Sequence, residues 1–363
     1  MLNKSELAVL SALIRCRQAT RGELIACVGL SRPTVDRALR SLEDRGLVQA
    51  LGPISSNGGR PPVAYVPRWE ELLIAAADLE LPRVNFVLAD LAGKVIARGG
   101  LSLEGYELQP AATLELLSLR LQEWVGTSWE KVLAVGIAIP GPVMKGEVSL
   151  VGATLPTWIR VPAQNMLERA LRVPVRVYHD LHLLALAEAR LGGWNDEIIL
   201  FLALRPGLVG EVRFGASILL GGQPYWGAHG NGGALLRAFV PPEELTGSGR
   251  LDRLAAALAE RAVHAIALLD PDRVVVDAAL LGPEASRFLR YFREHSESRL
   301  RGEYPGALRV SLAKGGEFGG ALGAALAVQD ELLRSPELFL RKGGDRRGKL
   351  GAYSVPRDSQ KGG

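Results

Sequence analysis

The sequence predicts an α/β protein in which a small helical module precedes a much larger body of strands and helices. Three observations predict it. Residues 1–68 carry helical apolar spacing followed by a glycine-rich hairpin pattern. Residues 69–333 alternate short apolar runs with helical patterns, the signature of a largely parallel sheet or two. Charge is also divided unevenly. Residues 1–68 hold 10 Lys/Arg against 5 Asp/Glu, residues 69–333 hold 25 against 31, and residues 334–363 hold 8 against 3. A basic module on an acidic body points to the module as the part that meets a polyanion.

Each element of the module has a local cause. Leu7, Leu10, Leu13 and Ile14 fall at helical spacing and predict a first helix from about Ser5 to Arg15. Thr20 and Glu23 form a T-x-x-E capping box that opens a second. Ser31 is placed to cap a third helix, with Pro33 in its first turn and Val35, Ala38, Leu39 and Leu42 as its buried stripe. Gly46 is the expected stop. A strand at Leu47–Leu51, a loop at Ser55–Pro62 and a return strand at Val63–Val66 complete a winged helix-turn-helix pattern. In the body, strands are expected at 72–78, 84–90, 132–139, 173–179, 197–204, 208–214 and 272–277. Helices are expected at 110–125, 162–171, 181–191, 250–268 and 319–333.

Composition narrows the function classes. The chain has 363 residues, 48% of them hydrophobic, enough for large cores. Its two cysteines exclude a disulfide scaffold and every four-cysteine zinc site. Cys16 and Cys27 are expected to be buried small hydrophobes. The first residues interleave charge with apolar residues, unlike a secretory signal, and no apolar run is long enough to span a membrane. A cytoplasmic protein is expected. The tail 334–363 lacks periodicity and is expected to be a basic, disordered extension.

The predicted third helix leaves Arg32, Thr34, Asp36, Arg37 and Arg40 on or near the face opposite its apolar stripe. Arg32, Thr34 and Arg37 are the expected base readers in a major groove, because Arg pairs bidentately with guanine and Thr meets a base edge or a thymine methyl. Arg40 is the expected phosphate contact. In Asn57-Gly58-Gly59-Arg60-Pro61-Pro62, Gly59 lets backbone approach DNA and Arg60 suits a narrow minor groove. The same cluster also reads as a plain turn into the linker, and the arginines also read as a solvated face.

Within the body, Gly136-Ile137-Ala138-Ile139-Pro140-Gly141-Pro142-Val143 resembles the G-I-G-[IV]-P-G-P-V segment of the ROK family of repressors and sugar kinases. Leu155-Pro156-Thr157-Trp158 resembles its N-L-P-x-W. Val173 to Asp180 with Leu184 to Ala189 resembles L-P-V-x-V-E-N-D-A-N-x-A-A-L-A-E, and Leu269 to Asp277 resembles a late L-D-P segment. The resemblance is collinear over roughly 70–333. It implies two ribonuclease-H-like lobes of the actin/hexokinase type, at 69–193 and 194–333, behind a DNA-binding domain at 1–68.

The resemblance also shows what has changed. Asp78-Leu79-Glu80-Leu81-Pro82-Arg83 stands where the family's first phosphate loop reads D-[IL]-G-G-T-[KN]. Arg205-Pro206-Gly207-Leu208-Val209-Gly210-Glu211 stands where the second reads G-T-G-[IV]-G-x-G. Glu80 and Glu211 put carboxylates where phosphate would sit, and Pro82 lacks an N–H. The zinc and sugar motif G-E-I-G-H reads Gly233-Ala234-Leu235-Leu236-Arg237, so no metal and no cofactor are expected. Asp180 matches the family's catalytic base. Thr154, His179 and Asp180 are the candidate effector residues, while a metal site at His179, Asp180 and His182 would lack a fourth ligand. Trp158, Tyr225 and Trp226 read either as ring-stacking residues or as core. The resemblance implies a DNA-binding regulator of the xylose-repressor type with no catalytic residues. It would act as a repressor on a near-palindromic double-stranded operator, as a homodimer or tetramer, answering a sugar or sugar phosphate. The alternative it implies is an ATP-dependent sugar kinase carrying a DNA-binding module.

Overall fold

The computed structural model describes residues 2–53, 62–80, 82–103, 109–148, 157–207, 209–233, 239–301, 304 and 308–335. The module comprises α1 (Lys4–Cys16), β1 (Ala19–Thr20), α2 (Arg21–Val28), α3 (Arg32–Asp44), β2 (Val48–Pro53) and β3 (Val63–Pro67). Its strands form one antiparallel sheet in the order β1-β3-β2. Two capping boxes set the helix starts: Asn3 with Glu6 on α1, and Thr20 with Glu23 on α2. Gly46 adopts φ +70°, a conformation that favours glycine, and so turns the chain from α3 into β2. Ser31 departs from expectation. Its backbone is extended as at an N-cap, but its hydroxyl lies 2.9 Å from the Thr34 hydroxyl rather than accepting a helix N–H. Cys16 and Cys27 also correct the sequence reading. Both are exposed, because each sits on the solvent side near the end of its helix.

The body continues with β4 (Leu73–Glu80), β5 (Arg83–Asp90), β6 (Val95–Ser102), α4 (Pro110–Val125), β7 (Val132–Ile139), β8 (Val143–Met144), β9 (Glu147–Val148), α5 (Ala163–Leu171), β10 (Val175–His179) and α6 (Asp180–Gly192). Then follow β11 (Ile199–Pro206), β12 (Val212–Leu220), β13 (Gln223–Pro224), β14 (Phe239–Val240), α7 (Arg250–Leu269), β15 (Arg273–Asp277), α8 (Ala285–Leu300), β16 (Val310–Leu312) and α9 (Gly319–Arg334). The first large sheet runs β6-β5-β4-β7-β10 and the second β13-β12-β11-β15-β16, with β14 beside β12. In each, two antiparallel neighbours flank the first strand on one side and two parallel strands lie on the other. The body is thus one arrangement built twice, which is the expected pair of ribonuclease-H-like lobes.

Alternation along β4 explains how the first sheet is covered. Ile74 and Ala76 face one side, where they share a core with α9, while Leu73, Ala75 and Ala77 face α4 and α5. The core over α9 is continuous with that of the module, joining Leu10, Leu13, Leu39 and Leu42 to Val87, Leu91, Val328 and Leu332. The second sheet is covered by α7 and α8 on one face and by α6 on the other. The sequence reading grouped 319–333 with the second lobe, yet α9 packs on β4, β5 and β7 of the first and against α6. It also missed β6 and α8, although Phe288 and Phe292 stand at i and i+4 in α8 and both are fully buried.

Candidate functional site

Two regions carry the chemistry. On the module, Arg32, Arg37 and Arg40 are exposed along α3, while Thr34 is half-buried near its start. The apolar stripe Val35, Ala38, Leu39 and Leu42 is buried and holds this face outward. Arg40 Nε donates to the Asp36 carbonyl at 3.4 Å. Arg32 and Arg37 have no carboxylate partner among the described residues. The predicted wing residues Gly59 and Arg60 lie outside the described residues.

Two further residues orient α3. Glu6, almost fully buried, accepts from the Ser41 hydroxyl at 2.7 Å and from the Asn3 N–H at 2.8 Å, tying α1 to α3. Burial would raise its carboxyl, but these donors and Arg45 hold it below the usual carboxylate range. Arg21 of α2 pairs with Asp36 of α3 (Nε to Oδ1, 2.6 Å) and donates to the Tyr65 hydroxyl on β3 at 3.1 Å. One guanidinium therefore links the second helix, the exposed helix and the hairpin. The sequence signal for Glu6 was present as Asn3-x-x-Glu6; Arg21 had none.

The second region lies where the ends of β4, β10, β11 and β15 meet between the lobes. Asp78 and Asp180 are buried there, with Glu80, Asp277 and the Arg205 guanidinium. Burial, followed by the nearby charges of Glu80 and Asp180, pushes Asp78 well above the usual carboxylate range. Burial raises Asp180 to about 6 against the pull of Arg205. His179 and His182 stand edge-to-face at 5.1 Å, and His182 also meets the Trp226 ring at 4.7 Å. Burial lowers His179 to about 4 and His182 to about 3, so both imidazoles are neutral at pH 7. His182 Nδ1 lies 2.7 Å from the Ser217 hydroxyl, whereas His179 Nδ1 and His182 Nε2 are buried without a protein partner. Such a set accepts hydroxyl groups well.

Of the candidate effector residues, His179 and Asp180 are in contact (Nε2 to Oδ1, 3.3 Å), and Thr154 lies outside the described residues. Asp180 is the first residue of α6, and its carboxylate accepts from the next N–H, that of Leu181, at 2.8 Å. A cavity of about 490 Å³ opens beside this pair rather than over it. It is lined by Lys145, Gln164, Arg176, Tyr178 and Trp226 among others. Trp226 stacks on Tyr178 at 5.4 Å; Trp158 is fully buried in the core beneath α5. Among the described residues, no three His, Cys, Asp or Glu side chains converge as metal ligands.

The resemblance to a family that includes sugar kinases implies a nucleotide, but the residues around Glu211 do not fit its phosphates. The Glu211 carboxylate folds back over its own loop, accepting from the Val209 N–H at 3.0 Å and from Arg213 Nε at 2.8 Å. It crowds Gly207 so closely that any side chain there would collide with it. Hydrogen bonds from its own N–H and that of Val209, aided by Arg213, keep it ionised below its usual range. The backbone donor that a phosphate would need is already used by a tethered anion.

Residues 120–248 match the ROK family model, and residues 2–67 match that of the sugar-specific transcriptional regulator TrmB. A xylose repressor of Caldicellulosiruptor bescii is 23% identical over 271 residues, covering 72% of this chain and 65% of that protein. The transcriptional dual regulator NagC of Escherichia coli K12 is 27% identical over 223 residues, covering 59% of this chain and 52% of NagC. The chain thus spans between half and two thirds of the length of these curated relatives. An uncharacterised protein of Sinorhizobium fredii is 25% identical and aligned over 89% of this chain and 90% of its own length. Among solved structures, a ROK family transcriptional regulator homologous to E. coli MLC superposes with a TM-score of 0.63 at 16% identity, covering 93% of this chain and 98% of that one. The ROK hexokinase of Thermus thermophilus superposes with a TM-score of 0.54 at 22% identity, covering 71% and 100%.

Proposed function

We propose that this chain, which carries a ROK domain behind a TrmB-type DNA-binding module, is a sequence-specific transcriptional regulator, and that it represses. One observation carries the reading: α3 presents Arg32, Arg37 and Arg40 to solvent on a module whose opposite side is sealed into the body core. Arg32, Thr34 and Arg37 read bases, and Arg40 holds phosphate. Gly59 and Arg60 supply the wing. Two copies of the module bind a near-palindromic operator, within a homodimer or tetramer, in the cytoplasm. The neutral imidazoles of His179 and His182 with Asp180 form the floor of an effector site for a sugar or sugar phosphate, to which Thr154 contributes. Kinase activity has been lost, because Glu211 takes up the phosphate loop and Arg205 sits among the cleft carboxylates.

The test is capture of genomic fragments by the purified chain, followed by anisotropy titration at stated salt. Arg37→Ala is expected to cost about 1–3 kcal/mol on the selected site if it reads a guanine. Wild-type affinity in that variant, or no fragment selected over random DNA, would sink the reading. Asp180, a buried carboxyl raised to about 6, favours the sugar-kinase alternative. That alternative requires MgATP to raise the melting temperature and a hexose to be phosphorylated; neither is expected.

A further inference from the structure

We propose that Arg205 is a tethered cation that holds the two lobes together across the cleft, in the place where a kinase of this fold would hold nucleotide phosphates and their counter-ions. Arg205 lies on β11, at the start of the second phosphate-loop segment, and four-fifths of its side chain is buried. On its own lobe, Nη1 donates to Asp277 Oδ2 at 2.9 Å. Across the cleft, Nε stands 4.0 Å from Glu80 Oε1 at the end of β4, and that Nε has no hydrogen-bond partner. Asp78 of β4 and Asp180, which follows directly on β10, both stand at strand ends of the first sheet and are near enough to feel the same charge. A guanidinium cannot lose its proton here, so it is a fixed positive charge facing carboxylates from both lobes.

The charge inventory makes this a tether rather than a local pair. Asp277 alone would satisfy one Arg within the second lobe. The first lobe adds Asp78, Glu80 and Asp180, whose burial and mutual proximity disfavour ionisation and whose charged forms the guanidinium favours. Glu80 replaces a phosphate-loop glycine and reaches toward Arg205 across the gap. The half-made contact at 4.0 Å leaves Nε free to shorten its approach to Glu80 when the lobes close.

The test uses the full chain with Cys16 and Cys27 replaced by Ser and spin labels at Glu123→Cys on α4 and Glu297→Cys on α8, both exposed. Pulsed dipolar spectroscopy then reads the interlobe distance. The parent is expected to give one narrow distribution. Glu80→Gln should raise the longer-distance population about five-fold, as loss of a partly exposed ion pair allows. Arg205→Gln should raise it further, and Arg205→Lys should restore most of the short distance. The Glu80 variant is decisive if Arg205→Gln does not fold, since its side chain is half exposed. A Glu80→Gln distribution identical to that of the parent would overturn the proposal and reduce Arg205 to a partner of Asp277 alone.

Discussion

Arg21 illustrates how much one side chain can decide. Asp36 is the acid in the middle of the exposed helix, and unpaired it would repel DNA phosphates from the surface that Arg32 and Arg37 offer. Arg21 cancels that charge at 2.6 Å and fixes α3 to the hairpin through Tyr65. Arg21→Ala is therefore expected to weaken operator binding about ten-fold, through the freed carboxylate rather than through loss of a phosphate contact. Asp36→Asn added to Arg21→Ala should restore most of that affinity. Anisotropy titration of both variants checks this; if the double variant binds as weakly as Arg21→Ala, Arg21 contacts DNA itself.

At the scale of elements, α9 joins the cleft to the module. Its Gly320 lies against the Asp78 carboxylate and its Gly323 against the Leu183 carbonyl of α6, approaches that only glycine permits. Farther along, Gln329 Nε2 donates to the Leu91 carbonyl at 3.0 Å, and Glu331 accepts from Arg176 and Tyr178 at 2.7 Å each. Val328 and Leu332 then share the core of α1 and α3. Gly323→Val would drive a branched side chain into backbone, forcing α9 from α6. A loss of about 3 kcal/mol in folding stability is expected from urea denaturation. A loss below about 1 kcal/mol would mean that the α6–α9 packing yields readily. The element pattern was largely legible in sequence because helix caps, glycine stops and strand alternation act over a few residues. The α4 span and the β7 span match the expected boundaries exactly as numbered. β6 was missed because Gly99 and Gly100 lower its strand signal, though its exposure alternates along every residue.

For the whole molecule, the consequence of a shared core is cooperativity. A DNA-binding module on a loose linker would unfold by itself. Here its apolar residues continue into the first lobe and α9, so α1 and α9 are expected to open in one step. Native-state hydrogen exchange should give amides of both helices the same opening free energy within about 1 kcal/mol. Exchange of α1 at a clearly lower free energy, with α9 still protected, would show two independent units.

Sequence alone determined the module, its arginine-bearing helix, the repeated α/β alternation and the altered phosphate loops. These are written in spacing, in capping residues and in the replacement of glycine by Glu80 and Glu211, all of which act locally. Tertiary structure decided which side chains meet: Arg21 with Asp36 and Tyr65, Arg205 with Asp277 and Glu80, and α9 with the first sheet rather than the second. It also exposed both cysteines. Such partnerships depend on which distant segments share a buried, low-dielectric space, and no local pattern encodes that.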